Sequence, residues 1–542
     1  MRMRRVEPGS TGPLALLAVA ATIVLVAAGG GGAGQSAAVA PEGSWAGLVG
    51  GARPRVSVGQ RVLVVLKDPS VADRIARAGG AATEPQERSW SRDALAAQRK
   101  LTARLGVQGV LVKPKYSYTR TLNGFSAAIE ARGISLLESA PEVAGVYPVR
   151  AAYPASIGSS VLAGGRFGPG SGHRAEVSLP GYDGRGITIA LLDTGVDRSQ
   201  PYLRGRVVDG IDIVGTDDGA LAAPSPADPG LVEEHGTQMA GILVGAGGPS
   251  GLSGVATGAS VMPIRVAGWQ PDASGHWAVY ARTDQIVAGL ERAVDPNGDG
   301  DTHDAARLAL IALAAPYAAF ADDPVARAAA GALRLDTLVV TAGGNDGSAG
   351  PGFGSISGPG GAPAALTVGA ADMRVQTDRV RLVVRSGLDV IVDRPVSLGG
   401  AVRPTRPVTA QVVLPRPAAA EEPPDVQVAH FFDRRGYSIV AGRATLVAAG
   451  SDARAVVTAA AAAGAAAVLL DGSEPPAGSL GLDERVGIPV VGLSAADAHR
   501  IRAALSRGAR VAVSLGGASG EPNLGRGRVA SFSSSGLAFD GR

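Results

Sequence analysis

The stretch Ile187-Thr188-Ile189-Ala190-Leu191-Leu192-Asp193-Thr194-Gly195-Val196-Asp197 decides the fold of this chain. Its first six residues form a nearly continuous apolar run, which is typical of a strand buried on both faces in a parallel sheet. Helical patterns at 238–244 and 283–294 alternate with strand patterns at 307–313 and 337–341. This alternation predicts a doubly wound α/β domain.

The pattern of apolar and polar residues differs on either side of this domain. Residues 61–150 read as a compact α+β unit, with a strand at 61–67 and a helix that Ser91 could open. Residues 151–180 lack periodicity and predict a linker. Residues 373–525 contain short Val- and Pro-rich strands and an Ala-rich helix, which indicates an inserted mixed α/β module.

The amino terminus carries an export pattern. Arg2, Arg4 and Arg5 precede an apolar run over 14–28, and Ala38-Val39-Ala40 resembles a cleavage site. The run is shorter than the 18 or so residues of a membrane span, although an uncleaved anchor is the competing interpretation. We expect a signal peptide over 1–40, a linker over 41–60, and a secreted, extracellular protein without membrane contact after cleavage.

Composition excludes several classes of function. The chain has 542 residues, with 51 basic and 48 acidic side chains that leave a net charge of +3. This near balance lacks the excess of basic residues that is typical of a nucleic-acid-binding protein. The chain has no cysteine, which excludes disulfides, thiolate metal sites and cysteine nucleophiles.

Asp193 stands at the carboxyl end of the buried strand. A carboxylate there often only caps the next turn, so a structural role stays open. Asp-Thr-Gly also occurs in aspartic proteases, which need two such carboxylates sharing a proton. No second triplet of this kind occurs, and the flanking pattern is α/β, so we favour a different partner for Asp193.

His235 is the candidate partner. It begins an apparent helix in which Gly236, Ala240 and Gly241 allow close packing against a sheet. An imidazole beside a buried carboxylate is held in one tautomer and is stabilised when protonated, as a general base requires. A structural or surface role is the alternative for a lone histidine.

Asn345 follows the strand pattern at 337–341, inside Gly343-Gly344-Asn345-Asp346-Gly347. Its amide could donate a hydrogen bond to a developing oxyanion, a contribution of roughly 3–4 kcal/mol elsewhere. The alternative is that Asn-Asp-Gly is simply a turn.

The segments 191–197, 235–237 and 344–347, in this order, resemble the signatures of subtilisin-like serine proteases, the subtilase family. The resemblance implies that Asp193 orients the imidazole, His235 is the general base and Asn345 is the oxyanion donor. It also implies a protein or peptide substrate and no organic cofactor. The substrate-binding positions that it implies are Ala312, Leu313, Ala314, Gly343 and Gly344.

The flanking units carry resemblances of their own. Segments 64–69 and 122–127 resemble a subtilase propeptide, which implies an intramolecular inhibitor that is cleaved between 150 and 180. Segments 461–465 and 486–492 resemble a protease-associated (PA) domain, which implies an insert that selects protein substrates.

The nucleophile departs from the family pattern. Subtilases place their serine in a helix-opening Gly-Thr-Ser-Met-Ala-like motif, and residues 530–542 resemble only the approach to it. None of Ser533, Ser534 and Ser535 opens a helix pattern. We therefore expect a carboxyl-truncated fragment that lacks the nucleophile and is inactive by itself.

The substrate-binding strand departs as well. Ala312-Leu313-Ala314 stands where the family has Ser-Leu-Gly. Backbone pairing to a peptide survives this change, but the methyl group of Ala314 narrows the neighbouring pocket. A non-catalytic peptide- or surface-binding protein on a degenerate protease scaffold therefore remains the alternative function.

The segment 295–301 predicts a metal-binding site. Asp295, Asn297, Asp299 and Asp301 match the first half of an EF-hand loop and are candidate ligands for a structural Ca²⁺. Ala306 stands in place of the closing glutamate, and a solvated acidic turn is the alternative.

The expected order of units is as follows: signal peptide 1–40, linker 41–60, propeptide 61–150, linker with the activation site 151–180, first part of the catalytic domain 181–372, PA insert 373–525 and second part of the catalytic domain 526–542.

Overall fold

The computed structural model describes residues 56–155, 181–215, 219–246, 253–347, 354–372, 376–399, 402, 404–416, 430–448, 453–471, 486–530 and 533–536. The predicted signal peptide over 1–40 and most of the linker over 41–60 lie outside the described residues. Within the described part, no helix has the length and apolar character needed to cross a bilayer.

Residues 56–149, here called the amino-terminal domain, form one sheet with three helices. The sheet has the strand order β2-β3-β1-β4. Strand β1 is paired antiparallel with β3 on one side and with β4 on the other. The elements in chain order are β1 (Arg61–Leu66), α1 (Val71–Arg77), α2 (Glu84–Val107), β2 (Tyr116–Tyr118), β3 (Gly124–Ala128), α3 (Ala131–Glu138) and β4 (Val143–Pro148).

The start of α2 differs from the sequence-based expectation. Thr83 and Gln86 form a capping box ahead of Glu84, in which the Thr83 N–H donates to Gln86 Oε1 at 2.9 Å. Ser91 lies inside the helix, is buried, and shares a 2.7 Å hydrogen bond with the Thr119 hydroxyl. The expectation that Ser91 opens the helix was wrong because its hydroxyl is used in a tertiary contact.

The segment expected to be a linker begins with a strand. β5 (Ala151–Pro154) lies in a four-stranded sheet between two later strands, β12 (Leu313–Ala314) and β10 (Trp277–Arg282). β9 (Ala267–Pro271) pairs with the other edge of β10. The expected linker over 151–180 is therefore corrected for 151–154. The strand forms through backbone pairing with distant segments, which requires no periodic side-chain pattern. Residues 156–180 lie outside the described part.

Residues 181–372 and 526–536, here called the sheet domain, contain six parallel strands in the order β14-β13-β11-β6-β8-β7. This arrangement confirms the predicted α/β fold class. The elements are β6 (Thr188–Asp193), β7 (Ile211–Asp212), α4 (His235–Val244), β8 (Ser260–Arg265), β9 (Ala267–Pro271), β10 (Trp277–Arg282), α5 (Thr283–Ala293), β11 (Leu308–Ile311), β12 (Leu313–Ala314), α6 (Pro324–Arg334), β13 (Leu338–Ala342), β14 (Ala365–Val368) and β15 (Ala371–Asp372).

Strand β6 is buried on both faces. Ile189 and Leu191 share an apolar cluster with helix α4, whereas Ala190 and Leu192 share one with α5 and α6. Successive side chains of a strand point to opposite faces, so the apolar run at 187–192 supplies both layers. This strand carries Asp193 to the carboxyl edge of the sheet.

The remaining residues form a second mixed sheet with the path β17-β16-β22-β18-β19-β20-β21, and β23 pairs with β16. β15 and β24 pair antiparallel at its junction with the sheet domain. The elements are β16 (Gln376–Ser386), β17 (Asp389–Ser397), β18 (Val408–Val413), β19 (Ala444–Ala448), α7 (Ala453–Ala462), β20 (Ala467–Asp471), β21 (Val490–Gly492), α8 (Ala495–Ser506), β22 (Val511–Leu515) and β23 (Ser519–Pro522). The chain then returns to the sheet domain with β24 (Arg528–Val529).

Candidate active site

Asp193 and His235 form a buried hydrogen-bonded pair. The Nδ1 atom of His235 lies 2.7 Å from Asp193 Oδ1 and 2.9 Å from Oδ2. Both residues are buried. Since a carboxylate can only accept, Nδ1 carries the proton and Nε2 is left with its lone pair. The structure therefore brings the predicted base and its orienting acid together in the tautomer that general-base catalysis requires.

The Nε2 atom of His235 is buried and has no hydrogen-bond partner among the described residues. An unsatisfied buried acceptor is costly, and such atoms are found mainly where a substrate, a water or a catalytic group binds. This side chain therefore presents one ring nitrogen that can exchange a proton with a bound group.

Hydrogen bonds between strand and helix hold this pair in place. The Thr194 N–H donates to Asp193 Oδ1 at 2.7 Å, and the Gly236 N–H donates to Thr194 Oγ1 at 3.0 Å. A Cβ at Gly236 would lie 2.2 Å from the Gly195 carbonyl oxygen, so only glycine allows this close approach. The Asp-Thr-Gly triplet in the sequence contains Thr194, but nothing in the triplet indicates that the Thr194 hydroxyl accepts from the helix.

A second link joins the same two segments. The Asp197 N–H donates to the Thr237 hydroxyl at 2.9 Å. A hydrogen bond from the Ser199 hydroxyl lowers the pKa of Asp197. Burial of the carboxylate partly opposes this decrease, and a hydrogen bond from the Gln200 side chain adds to it. Asp197 therefore stays ionised and braces the turn after β6.

Glu233 fixes the segment that leads into His235. Its carboxylate accepts from Arg265 Nε at 2.9 Å and Nη2 at 2.7 Å, and from the Trp269 N–H at 2.9 Å. Arg265 also donates to Asp212 Oδ2 at 3.0 Å. The sequence carried no signal for this buried network, because its members come from three segments that are far apart in the chain.

Asn345 follows β13 and is half-buried, on the same edge of the sheet as Asp193. The loop before it is tightly packed: Gly344 has φ +109°, and a Cβ there would lie 2.4 Å from Ser357 Oγ. The Gly343 N–H donates to the Val368 carbonyl at 2.8 Å. Gly343 and Gly344 thus set the position of the Asn345 amide.

The serines near the end of the described chain brace this loop. Ser534 Oγ accepts from the Asp346 N–H at 3.0 Å, and Ser533 Oγ accepts from the Ala370 N–H at 3.0 Å. The Ser535 N–H donates to the Ser355 hydroxyl at 3.1 Å. None of these three serines is hydrogen-bonded to His235 in the described structure.

The predicted substrate-binding residues Ala312, Leu313 and Ala314 are buried and extend from the end of β11. Strand β5 lies antiparallel against them, with Ala314 opposite Tyr153 and Leu313 opposite Pro154. On its other edge β5 pairs with β10, where Ala281 is opposite Ala152. An extended segment of the chain itself thus fills the groove between β10 and β12.

The predicted calcium loop binds the amino-terminal domain. Asp295 accepts from the N–H groups of Gly298 at 2.7 Å and Gly300 at 3.1 Å, and it pairs with Arg120. Arg88 Nη2 lies 2.8 Å from Asp299 Oδ2 and 2.6 Å from Asp301 Oδ2. Loop amides and arginines therefore engage this set, and it does not fit a calcium ion in this arrangement.

Among the described residues, a different group of potential metal ligands comes together, and it overlaps the predicted set at one residue. The potential ligand atoms of Glu87, Asp301 and His303 lie within 4.8 Å of one another. Of the four predicted ligands, Asp301 alone belongs to this group. The side-chain oxygen of Asn297 is already used within the loop, because it accepts from the Asp299 N–H at 2.9 Å. The predicted ligand set of Asp295, Asn297, Asp299 and Asp301 is not gathered around one point.

Several known proteins are similar to this chain in sequence. A family model described as the Subtilase family (Peptidase_S8) matches residues 184–541. The minor extracellular protease Vpr of Bacillus subtilis (strain 168) is 29% identical over 250 residues, which cover 44% of this chain and 28% of Vpr. Subtilisin E of the same organism is 25% identical over 266 residues, which cover 49% of this chain and 59% of subtilisin E.

Two further similarities complete the comparison. The major intracellular serine protease of Bacillus subtilis (strain 168) is 30% identical over 173 residues, 32% of this chain and 47% of that protein. Fervidolysin from Fervidobacterium pennivorans superposes with a TM-score of 0.38 at 16% identity, covering 64% of this chain and 48% of that chain. The chain spans less than half of the length of Vpr and of the intracellular protease.

Proposed function

The chain belongs to the subtilase family, and we propose that it is the precursor of a serine endopeptidase that hydrolyses peptide bonds in proteins. The observation that carries this proposal is the buried Asp193–His235 pair, with Nδ1 bonded to the carboxylate and Nε2 unpaired. That arrangement supports a base that removes a proton from a hydroxyl nucleophile and later delivers it to the leaving amine.

We assign the remaining roles by chemistry. His235 Nε2 takes the proton of a serine hydroxyl, while Asp193 stabilises the imidazolium that forms. The Asn345 amide donates to the oxyanion of the tetrahedral intermediate. The serine is not Ser533, Ser534 or Ser535, because their hydroxyls and amides brace the loops around Asp346, Ala370 and Ser355.

The cleft supports a substrate that binds as an added strand. β5 occupies the groove between β10 and β12 in the extended form that a peptide substrate adopts. The amino-terminal domain is therefore proposed as a propeptide that blocks the cleft until it is removed. The second sheet is proposed to be a PA-type insert that selects protein substrates. The amino terminus is proposed to be a signal peptide that directs secretion.

Activity-based labelling tests the function. The product of the complete gene is treated with a fluorophosphonate, which reacts with an activated serine. We expect labelling of the wild type and loss of more than about 99% of it in His235→Ala, since removing a triad base lowers reactivity by several orders of magnitude. His276→Ala, which changes an exposed histidine, is the matched control and keeps the label.

A peptide-binding protein without catalysis is the second candidate. It is favoured by the observation that no serine of the described part is bonded to His235 Nε2. Folded gene product that binds an extended peptide but takes no fluorophosphonate would support this candidate and reject the protease.

A further inference from the structure

Three side chains meet where the amino-terminal domain contacts the sheet domain. Glu87 lies in the first turn of α2, and Asp301 and His303 lie in the loop between α5 and β11. The Nδ1 atom of His303 is 3.6 Å from Asp301 Oδ1 and 3.8 Å from Glu87 Oε1. One imidazole nitrogen and two carboxylate oxygens, contributed by both domains, therefore surround one small space.

Glu87 is a buried carboxylate without a permanent cationic partner. Only 3% of this residue is exposed. Its Oε2 atom accepts from the N–H and the hydroxyl of Thr302, both at 2.8 Å. Among the residues that the structure describes, no donor binds its Oε1 atom, and no lysine or arginine pairs with it. A buried carboxylate is costly unless it pairs with a cation or coordinates a metal, so Oε1 requires a positive group in the space beside His303.

Asp301 is the second buried carboxylate, also 3% exposed. Its Oδ2 atom lies 2.6 Å from Arg88 Nη2, without the alignment of a hydrogen bond. Its Oδ1 atom accepts from the His303 N–H at 3.2 Å. The same Nη2 atom of Arg88 is shared with Asp299 at 2.8 Å and with Glu84 at 3.2 Å. One guanidinium therefore serves three carboxylates, and this cluster has more negative than positive groups even before Glu87 is counted.

Each of the two carboxylates turns one oxygen toward His303 and uses the other for a contact within the protein. Thr302 holds Glu87, and Arg88 holds Asp301. Metal sites use such outer contacts to aim the ligand atoms of the inner residues. The His303 side chain is 47% exposed, so its ring can adjust and solvent reaches the space from that side.

The ligand set and its spacing fit zinc rather than calcium. Calcium takes about six to eight oxygen ligands, more than these three side chains supply. Zinc binds imidazole nitrogen and carboxylate oxygen at about 2.0–2.2 Å, in a tetrahedron that a water can complete. Ligand atoms in such a tetrahedron are about 3.3 Å apart. The separations of 3.6 and 3.8 Å therefore need only small side-chain movements to close on the ion.

We propose that Glu87, Asp301 and His303 bind one Zn²⁺ ion, which clamps the amino-terminal domain to the sheet domain. Because the ligands come from both domains, the complete site exists only while the two are docked. An ion that binds only the docked state stabilises that state. The inference does not depend on the proposed function, since neither Asp193 nor His235 takes part in the site.

Calorimetric titration tests the site. The untagged 542-residue chain is freed of metal with EDTA, the chelator is removed, and ZnCl₂ is added. We expect one equivalent to bind, at least about tenfold more weakly in His303→Ala and in Glu87→Gln. Glutamine keeps an oxygen for Thr302 but offers no carboxylate to the ion. His276→Ala and Glu84→Gln, at exposed positions, are the matched controls and should bind zinc as the wild type does. Absent binding, or undiminished binding in either ligand variant, overturns the site.

Cobalt reports the coordination geometry of the same site. Co²⁺ replaces Zn²⁺ in such sites, and it absorbs visible light more strongly with four ligands than with six. We expect the metal-free chain to gain this absorption on addition of CoCl₂ and to lose it when ZnCl₂, but not CaCl₂, is added. The absorption should be much weaker in His303→Ala. An equally strong absorption in that variant overturns the assignment of the imidazole as a ligand.

Hydrogen exchange tests the clamp between the domains. The Thr302 N–H is bonded to Glu87 across the interface, so its exchange reports separation of the two domains at this point. We expect saturating ZnCl₂ to slow the exchange of this amide by at least about tenfold in the wild type but not in His303→Ala. The Val468 amide, which is bonded to the Pro489 carbonyl in the second sheet, is the reference and should be unaffected. Zinc that binds without slowing the Thr302 amide overturns the clamp.

Discussion

The amino-terminal domain contacts the sheet domain in two chemically different ways. Residues 56–149, its folded body, dock largely through carboxylates of the sheet domain that accept from backbone N–H groups and arginines of the body. The strand that follows, over 151–155 and here called the tail, docks through hydrogen bonds between backbones. The body contact requires particular side chains of the sheet domain, such as Glu291. A tail contact can be made by any extended segment with a small side chain in the place of the buried Ala152. The two contacts therefore differ in how strongly they depend on the identity of particular side chains.

The body contact is centred on Glu291 of α5. Its carboxylate accepts from the N–H groups of Thr119 at 2.7 Å, Arg120 at 3.0 Å and Thr121 at 2.6 Å. Tyr118 donates its hydroxyl to the Asp284 carbonyl at 2.9 Å nearby. Helix α6 completes the contact, because Gly331 lets the Thr121 carbonyl approach it closely.

The largest expected effect comes from Glu291→Ala, which breaks the body contact alone. It leaves three backbone donors without their acceptor, at a cost of about 4 kcal/mol. We expect the amides of Thr119 and Thr121 to exchange about 1,000-fold faster, while the Ala155 amide stays within about tenfold of its wild-type rate. Glu138→Ala, at an exposed helix end, is the control. Equal acceleration of all these amides would mean that body and tail form one cooperative unit.

The next effect is a pH dependence in the helix beneath the body. Burial raises the pKa of Asp323, the N-cap of α6, to about 6, and hydrogen bonding from Ala326 and the charge of Arg150 only partly oppose it. The folded state therefore binds this proton more tightly than the unfolded state. The resulting stability is complete below about pH 4 and is lost as pH rises through about 6, by up to about 3 kcal/mol.

Urea unfolding between pH 4 and 7 measures this dependence. Other carboxylates titrate in the same range, so the informative quantity is the difference between the wild type and Asp323→Asn. Asparagine still caps the helix but does not ionise. We expect the variant to gain stability relative to the wild type as pH rises toward 7. A constant difference across the range would contradict the raised pKa.

A smaller effect is expected from Gly331→Ala. A Cβ at this position would lie 1.9 Å from the Thr121 carbonyl oxygen, so the body must move away from α6. We expect a loss of about 2 kcal/mol, measured by urea unfolding. Gly106→Ala is the matched control, because nothing lies within 4 Å of its Cβ position in helix α2. It should stabilise the protein by about 0.5–1 kcal/mol. An equal gain in both variants would mean that the body does not press on α6.

The smallest effect is expected from metal removal. The carboxylates of the loop at 295–301 are already bound to Arg88, Arg120 and loop amides. We therefore expect EDTA and added CaCl₂ to leave the Tm of the zinc-free 542-residue chain unchanged in calorimetry. A Tm that rises with calcium would contradict this expectation.

Much of the sheet domain could be predicted from local patterns. The apolar run before Asp193 and the small residues after His235 encode a buried strand and a closely packed helix. The carboxyl edge of a parallel sheet then brings their ends near each other. The same patterns could not reveal the Glu233–Arg265 network or the bond from Gly236 to Thr194, because such contacts join segments that have no periodic relation.

The sequence by itself determined the parallel sheet, the strand-end position of Asp193, the helix-start position of His235 and the glycine loop before Asn345, since alternation and small residues act locally. Only the tertiary structure decided that 151–154 form a strand and that Arg88 and Arg120 of the amino-terminal domain pair with the acidic loop at 295–301. Backbone pairing and long-range ion pairs depend on where distant segments meet, and neither needs a pattern in the segment itself.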